Sequence, residues 1–206
     1  MNNIKLGGHV KVDLNIWPIL QYDKHGEADK DIIVLHETVS PDYIGFVDIF
    51  SVSEYLARKN YGIHAVIDVE GYMGWTYGQR RAIFYHTASS GFLGSGNINT
   101  RSIGIEQVSR VMLDKPDNLS RWKLWMERDK ELDKVAQLCA FLSKTEGIPL
   151  KYSDGKVPGI TTHWQVTKTF GVSGGHTDCW PRHLDGYYPV LRVIRQAEIY
   201  YKKWYG

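Results

Sequence analysis

The sequence predicts a single α/β domain, and three observations carry that reading. A dense apolar run, Ile32–Leu35, is bounded by turn-forming residues and ends at His36. A stretch from Ser120 to Lys144 repeats its apolar residues at helical spacing, and the 206 residues contain no internal repeat, low-complexity tract or linker. A short apolar run between turn residues suits a strand buried on both faces, whereas a 3.6-residue repeat suits a helix lying on such a sheet.

Taken in order, residues 1–30 carry Pro18 and the polar stretch QYDKHGEADK, and read as an extended lead-in. After the Ile32–His36 strand, Asp48–Asn60 fits a short helix with Ser51 or Ser53 near its start. In IHAVIDVEGYMGWTYG, Ile63, Ala65 and Ile67 alternate with His64, Val66 and Asp68, and Glu70-Gly71 supplies a turn before Tyr72–Tyr77, which is a hairpin signal. SIGIEQVSR reads as a strand with Ile103 and Ile105 on one face and Gly104 and Glu106 on the other. In the 120–144 helix, Trp125, Leu132, Val135, Ala136, Cys139 and Leu142 share a face, and Gly147 with Pro149 stops it. Residues 150–159 form a loop, 159–181 reads as more loop than element, and Tyr188–Tyr201 reads as a closing helix.

Composition narrows the function. With 43% hydrophobic and 23% charged residues the chain has the means to build a core, so disorder is excluded. A net charge of +2, from 25 basic and 23 acidic residues, gives no electrostatic case for binding nucleic acid. No run approaches the ~18 apolar residues of a membrane span, so membrane insertion is not expected. The N-terminal MNNIKLGGHVKVDLN has no apolar signal core, so the expected site of synthesis is the cytoplasm, with any action outside it needing another exit route. The 7 Trp and 13 Tyr suit either core packing or stacking on sugar-like ligands. Two cysteines allow at most one disulfide; Cys139 lies in the apolar helix and Cys179 in a polar cluster.

The chemistry-bearing residues are histidines and their acidic neighbours. His36 closes the strongest strand, His163 follows GITT, and His176, Asp178 and Cys179 crowd into GGHTDC. A hydrolytic zinc site needs three ligands drawn from His, Asp, Glu and Cys, with one position open to water. Spacing alone leaves two readings, because there is no HExxH and no paired CxxC; these histidines either share a metal or are separately satisfied.

Several segments in order, IIVLHETVS, YGIHAVIDVEGYMGWTYG, FYHTASS, NTRSIGIEQV, THWQV and GGHTDC, resemble the type-2 N-acetylmuramoyl-L-alanine amidases, the family that includes bacteriophage lysozyme-type amidases and peptidoglycan recognition proteins. The resemblance spans roughly residues 32–180. It implies a central mixed β-sheet flanked by helices, with zinc in a surface groove, and a single catalytic domain over 1–206. It implies His36 and His163 as zinc ligands, Thr162 standing where the family usually has Gly. The third ligand is Asp178 or Cys179, since the Pro-Gly that follows it in the family is missing from Asp178-Cys179-Trp180-Pro181. Asp178 is favoured because the family's cationic residue two positions earlier then falls on His176 rather than Thr177, although a thiolate is the softer donor. Glu106 resembles the catalytic glutamate that orients the attacking water and takes its proton, with His176 beside the oxyanion. His64 and His86 match groove-lining positions, His86 being the better substrate contact, and Trp75, Tyr77, Tyr85, Phe92 and Trp164 are candidate groove walls. His9, His25 and His183 read as solvated or locally bonded.

The function implied is zinc-dependent cleavage of the amide between N-acetylmuramic acid and L-alanine in bacterial peptidoglycan. The setting implied is that of a phage endolysin, made in the host cytoplasm and acting on the wall after release. Two alternatives stay open: a peptidoglycan-binding receptor without catalysis, and a metallopeptidase that cuts within the stem peptide.

Overall fold

In the computed structural model, residues 2–6, 10–19, 25–38, 49–59, 61–76, 79–87, 97–171 and 176–206 are described. Seven strands form one mixed sheet: β1 (Asn2–Leu6), β2 (Val10–Pro18), β3 (Ile32–Glu37), β4 (Ala65–Ile67), β5 (Met73–Trp75), β6 (Ser102–Gln107) and β7 (Gly159–Thr162), in the spatial order β1-β2-β5-β4-β6-β3-β7. The pairs β1–β2 and β4–β5 are antiparallel, and β2–β5, β4–β6, β6–β3 and β3–β7 are parallel. The helices are α1 (Ile49–Arg58), α2 (Ile98–Arg101), α3 (Val111–Asp114), α4 (Asn118–Met126), α5 (Asp129–Glu146), α6 (His163–Phe170) and α7 (Val190–Tyr205).

Strand alternation divides the molecule into layers. Ile33 and Leu35 of β3, Ile103 and Ile105 of β6, Ala65 and Ile67 of β4 and Ile160 of β7 point to one face, where α5 and α7 cover them with Leu132, Val135, Cys139, Leu142, Val190 and Val193. Each such fully buried aliphatic side chain contributes about 1.5–3 kcal/mol. On the other face, α1 packs Ile49 and Val52 against Ile63, Val66 and Val108, while Ile98 of α2 and Val166 of α6 meet Ile32 and Val34. β3 is buried on both faces, which is why its sequence is a continuous apolar run.

The hairpin forms as expected. Asp68 Oδ1 accepts from the Glu70 and Tyr72 amides at 3.0 and 2.8 Å, and Gly71 takes φ +78°, a conformation that costs glycine nothing. The helix expected over 120–144 is instead two helices. The chain tightens at Glu127 and Arg128, whose amides bond to Leu124 and Trp125 carbonyls at 3.2 and 3.1 Å, and Arg128 leaves helical geometry at ψ 51°. That break brings the Arg128 guanidinium 3.2 Å from the Val108 carbonyl and 3.1 Å from Glu131 Oε2. Gly147 ends α5 in the left-handed conformation, φ +73°.

The segment read as more loop than element is a strand followed by a helix. Thr162 ends β7 and caps α6, its side chain accepting from the Gln165 amide. The lead-in also does more than extend: β2 pairs with β5 and carries Leu14 into the core. No described helix is long and apolar enough to cross a membrane.

Candidate metal centre and active site

β3, β6 and β7 run parallel, and their carboxyl ends finish side by side, the usual location of a ligand site in an open α/β sheet. His36 pairs in register with Glu106, so the two side chains share a face. His163 follows directly on β7, one residue past the Thr162–Leu35 pair, and therefore points to that face too. The loop carrying Asp178 arrives from beyond α6; its carbonyl accepts from the Trp164 amide at 3.1 Å, and its Oδ2 accepts from the Glu37 amide at 3.3 Å.

These elements bring three candidate ligands together. His36 Nδ1 and His163 Nδ1 stand 3.1 Å apart, and His163 Nδ1 lies 3.0 Å from Asp178 Oδ1 and 3.1 Å from Oδ2. His36 Nδ1 is 3.7 Å from Asp178 Oδ2. All three side chains are buried. Ligand atoms ~2.0–2.1 Å from a tetrahedral zinc stand about 3.3 Å from one another, so the spacing fits one ion. Asp178 Oδ1 is buried, and although His163 Nδ1 lies 3.0 Å away it receives no well-directed hydrogen bond, which is costly unless a positive group takes it up. Two imidazoles and a carboxylate, with further positions left open, form a donor set suited to a hydrolytic metal.

The electrostatics agree with this. Burial alone would push the Asp178 carboxyl up, but His163, then His176 and His36, hold it below the ordinary carboxylate range. Glu106 is buried and its carboxyl is raised well above the usual range by desolvation first, then by the negative charges of Asp178 and Glu37. A divalent cation between the histidines would act in the opposite sense. Among the described residues no hydrogen bond fixes the Glu106 carboxylate, which leaves its oxygens available. His176 is exposed at the rim; its ring stacks on His163 at 4.6 Å, and Nδ1 lies 3.6 Å from Asp178 Oδ1, an interaction that raises its pKa.

Cys179 stands apart from this group. It is buried in the apolar core, its amide donates to Tyr187 Oη at 3.1 Å, and its Sγ accepts from Gln107 Nε2 at 3.7 Å. The left-handed backbone at Cys179, φ +56°, turns its side chain inward while Asp178 faces the histidines. Burial and the surrounding carboxylates push its thiol well up, away from the thiolate a metal requires.

Both expected groove-lining histidines have their ring nitrogens engaged within the fold. His64 is fully buried; Nε2–H donates to the Ala82 carbonyl at 3.0 Å and Nδ1 accepts from the Gly104 amide at 3.0 Å, so neither nitrogen is left for substrate. Its burial, then the Lys30 charge, lowers its pKa to about 3. His86 meets His36 at Nε2, the nitrogen turned away from His163, with Nδ1 3.0 Å from His36 Nε2 and Nε2 3.0 Å from Ser102 Oγ. Of the aromatic walls, Trp75 belongs to the core against Phe141, Tyr85 stacks on His25 at 3.8 Å, and Trp164 stacks on Trp180 at 5.3 Å beside the site. Tyr77, Phe92 and His9 lie outside the described residues. His183 packs edge-on against Tyr152.

Sequence reasoning missed Thr87, Asn99 and Ser102. Asn99 Oδ1 accepts from the His86 amide, the Thr87 amide and Thr87 Oγ1 at 3.2, 3.0 and 2.8 Å, and Thr87's carbonyl lies 3.3 Å from His163 Nε2. The visible signal was Asn97, which caps α2 by accepting from the Asn99 amide at 3.0 Å, but nothing in that pattern points to the histidines.

Residues 27–183 match the family model described as N-acetylmuramoyl-L-alanine amidase. Among solved structures, the chain is similar to Staphylococcus aureus hydrolase AmiA in complex with its ligand, at 17% identity and a TM-score of 0.57, covering 92% of this chain and 83% of that one. It is also similar to the PlyG catalytic domain, at 15% identity and a TM-score of 0.58 over 90% and 94% of the two chains. A third likeness is to N-acetylmuramoyl-L-alanine amidase LysC from Clostridium intestinale URNW, at 14% identity and a TM-score of 0.55 over 89% and 97%. No curated protein matches. At these identities the structures speak for a shared fold, while the family match, covering well over half of the chain, shows that this protein belongs to the N-acetylmuramoyl-L-alanine amidase family.

Proposed function

We propose that the chain hydrolyses the amide joining the lactyl group of N-acetylmuramic acid to L-alanine in bacterial peptidoglycan, using one zinc ion held by His36, His163 and Asp178, with residues 1–206 acting as a single catalytic domain. The observation that carries this reading is the convergence of three buried ligand atoms beside Glu106, at the ends of parallel strands, within a chain of this family. When bound, zinc supplies Lewis acidity, polarising a carbonyl and making water nucleophilic near neutral pH.

The protein's own residues perform the rest. Glu106 orients the attacking water and takes its proton, its carboxylate oxygens held by no other hydrogen bond among the described residues. The water oxygen bonds to the amide carbonyl carbon, the carbon–nitrogen bond breaks, and Glu106 delivers the proton to the departing alanine amine. His176, its charge favoured by Asp178, lies at the rim to stabilise the developing oxyanion, a role worth roughly 10²–10³ in rate for one donor. Asp178 holds His163 and His176 in place as well as supplying a ligand atom. The likeness to endolysins supports a phage lytic enzyme, made in the host cytoplasm and released onto the wall.

Mass spectrometry of digested cell walls tests the reaction. The expected products are a free lactyl carboxyl on the glycan and a matching new L-alanine amino terminus, formed by zinc-loaded protein and lost on chelation. New amino termini within the stem peptide, with no lactyl carboxyl, would identify a peptidase, and tight wall binding without either product would identify a receptor.

A further inference from the structure

The hydrogen bonds behind the two histidines have directions that can be read from their far ends. Ser102 Oγ lies 2.6 Å from the Ile98 carbonyl, which can only accept, so the hydroxyl proton is committed there. Ser102 Oγ must therefore accept from His86 Nε2 at 3.0 Å, which places the His86 proton on Nε2. His86 Nδ1 is then an acceptor, and its partner at 3.0 Å, His36 Nε2, is the donor. A neutral His36 carrying its proton on Nε2 turns a bare Nδ1 lone pair toward His163 and Asp178. His163 meets the same segment, its Nε2 facing the Thr87 carbonyl at 3.3 Å while its Nδ1 faces His36 Nδ1 and Asp178 at 3.1 Å.

Residues 86 and 87 are held by one atom, Asn99 Oδ1, through its three bonds to that dipeptide. Gly104 makes room for the arrangement: a Cβ there would fall 2.7 Å from both Cγ and Nδ1 of His86. We propose that the His86–Thr87 segment, fixed by Asn99 and terminated by Ser102, is a positioning device that sets the Nε2–H tautomer of His36 before metal arrives, with His86 as the positioning residue for His36. The proposal rests on the reading that these histidines hold zinc, and it assigns His86 a place behind a ligand rather than a contact with substrate.

Long-range proton–nitrogen NMR of the zinc-free protein labelled with ¹⁵N-histidine reads the tautomers without any reaction. His36 and His86 are each expected to carry the proton on Nε2. In His86→Ala, His36 should lose its single tautomer while His163 keeps its own, and zinc affinity measured by chelator competition should fall about 10–100-fold. His86→Gln should restore most of both, since its amide oxygen can accept from His36 and its amide nitrogen can donate to Ser102. Ser102→Ala, which leaves every ring in place, should release the His86 tautomer and weaken zinc several-fold. A proton on His36 Nδ1 in the zinc-free protein would overturn the proposal. So would wild-type zinc affinity in His86→Ala, or, should that variant not fold, an unchanged His86 tautomer and zinc affinity in Ser102→Ala. A protein that binds zinc and shows these tautomers yet leaves the lactyl amide intact supports the positioning device and removes the amidase assignment instead.

Discussion

The two faces of β3, β6 and β7 are made by the same residues in alternation, and they behave as different materials. One face offers Ile33, Leu35, Ile103, Ile105 and Ile160 to α5 and α7, in the manner of an ordinary hydrocarbon interior. The other carries His36, Glu106 and, just past the strand, His163. Because side chains alternate strictly, a slip of one residue in any of these strands would exchange ligands for isoleucines; the apolar face thus sets the register on which the polar face depends. Stability comes from the first face, and the second draws on it by burying groups that would rather be hydrated.

The contrast is sharpest where each face breaks its own rule. Beyond the apolar face, Glu37 and Gln107 lie at the strand ends and are fully engaged: Ser109 Oγ and Tyr187 Oη donate to Glu37 at 2.9 and 2.8 Å, and Tyr188 Oη donates to Gln107 at 2.7 Å. Those bonds tie the Asp178–Tyr188 loop to the sheet from below. On the polar face Glu106 has no such partner among the described residues. The two carboxylates therefore differ in hydrogen bonding rather than in depth, as the proposed roles of a structural Glu37 and a reactive Glu106 require.

The largest expected effect tests that distinction. Glu106→Gln should keep zinc while kcat falls roughly 10²–10⁴-fold, the usual worth of a general base; metal analysis beside wall-digestion kinetics checks it. On the opposite face, Trp125→Ala should cost about 3–5 kcal/mol of unfolding free energy and leave zinc stoichiometry unchanged, because it empties a buried site against Tyr188 far from the histidines. Denaturant melts with and without zinc measure both quantities.

A smaller effect comes from Glu131, a carboxylate under the apolar layer. Burial raises its pKa to about 8, against the lowering influence of Arg128. A carboxyl raised on folding favours the native state at low pH, and that support fades as pH climbs from the ordinary glutamate range through about 8. Melting temperature should consequently fall over that interval in the native sequence, and Glu131→Gln should flatten the fall.

The apolar face was largely legible in the sequence, since the Ile32–Leu35 run and the Ile103/Ile105 alternation carry their own periodicity. The break at Arg128 was not, because apolar spacing continues across it and its cause is a tertiary bond to Val108. β7 and α6 escaped for a related reason: four strand residues are too few for a pattern, and Thr162 serves both elements. On the polar face, family resemblance singled out His36, Glu106, His163 and Asp178, while leaving Cys179 of the apolar core as a rival. It could not place His64 or His86, whose surroundings depend on Gly104, Ala82 and Ser102, residues distant in the chain and unremarkable in type.

Zinc content per chain, measured by elemental analysis on protein carrying Asp178→Asn beside protein carrying Cys179→Ser, tests most directly whether the polar face is a metal centre built as described. The account predicts close to one zinc in the cysteine variant and almost none in the aspartate variant. Zinc kept without the carboxylate and lost with the thiol would contradict it.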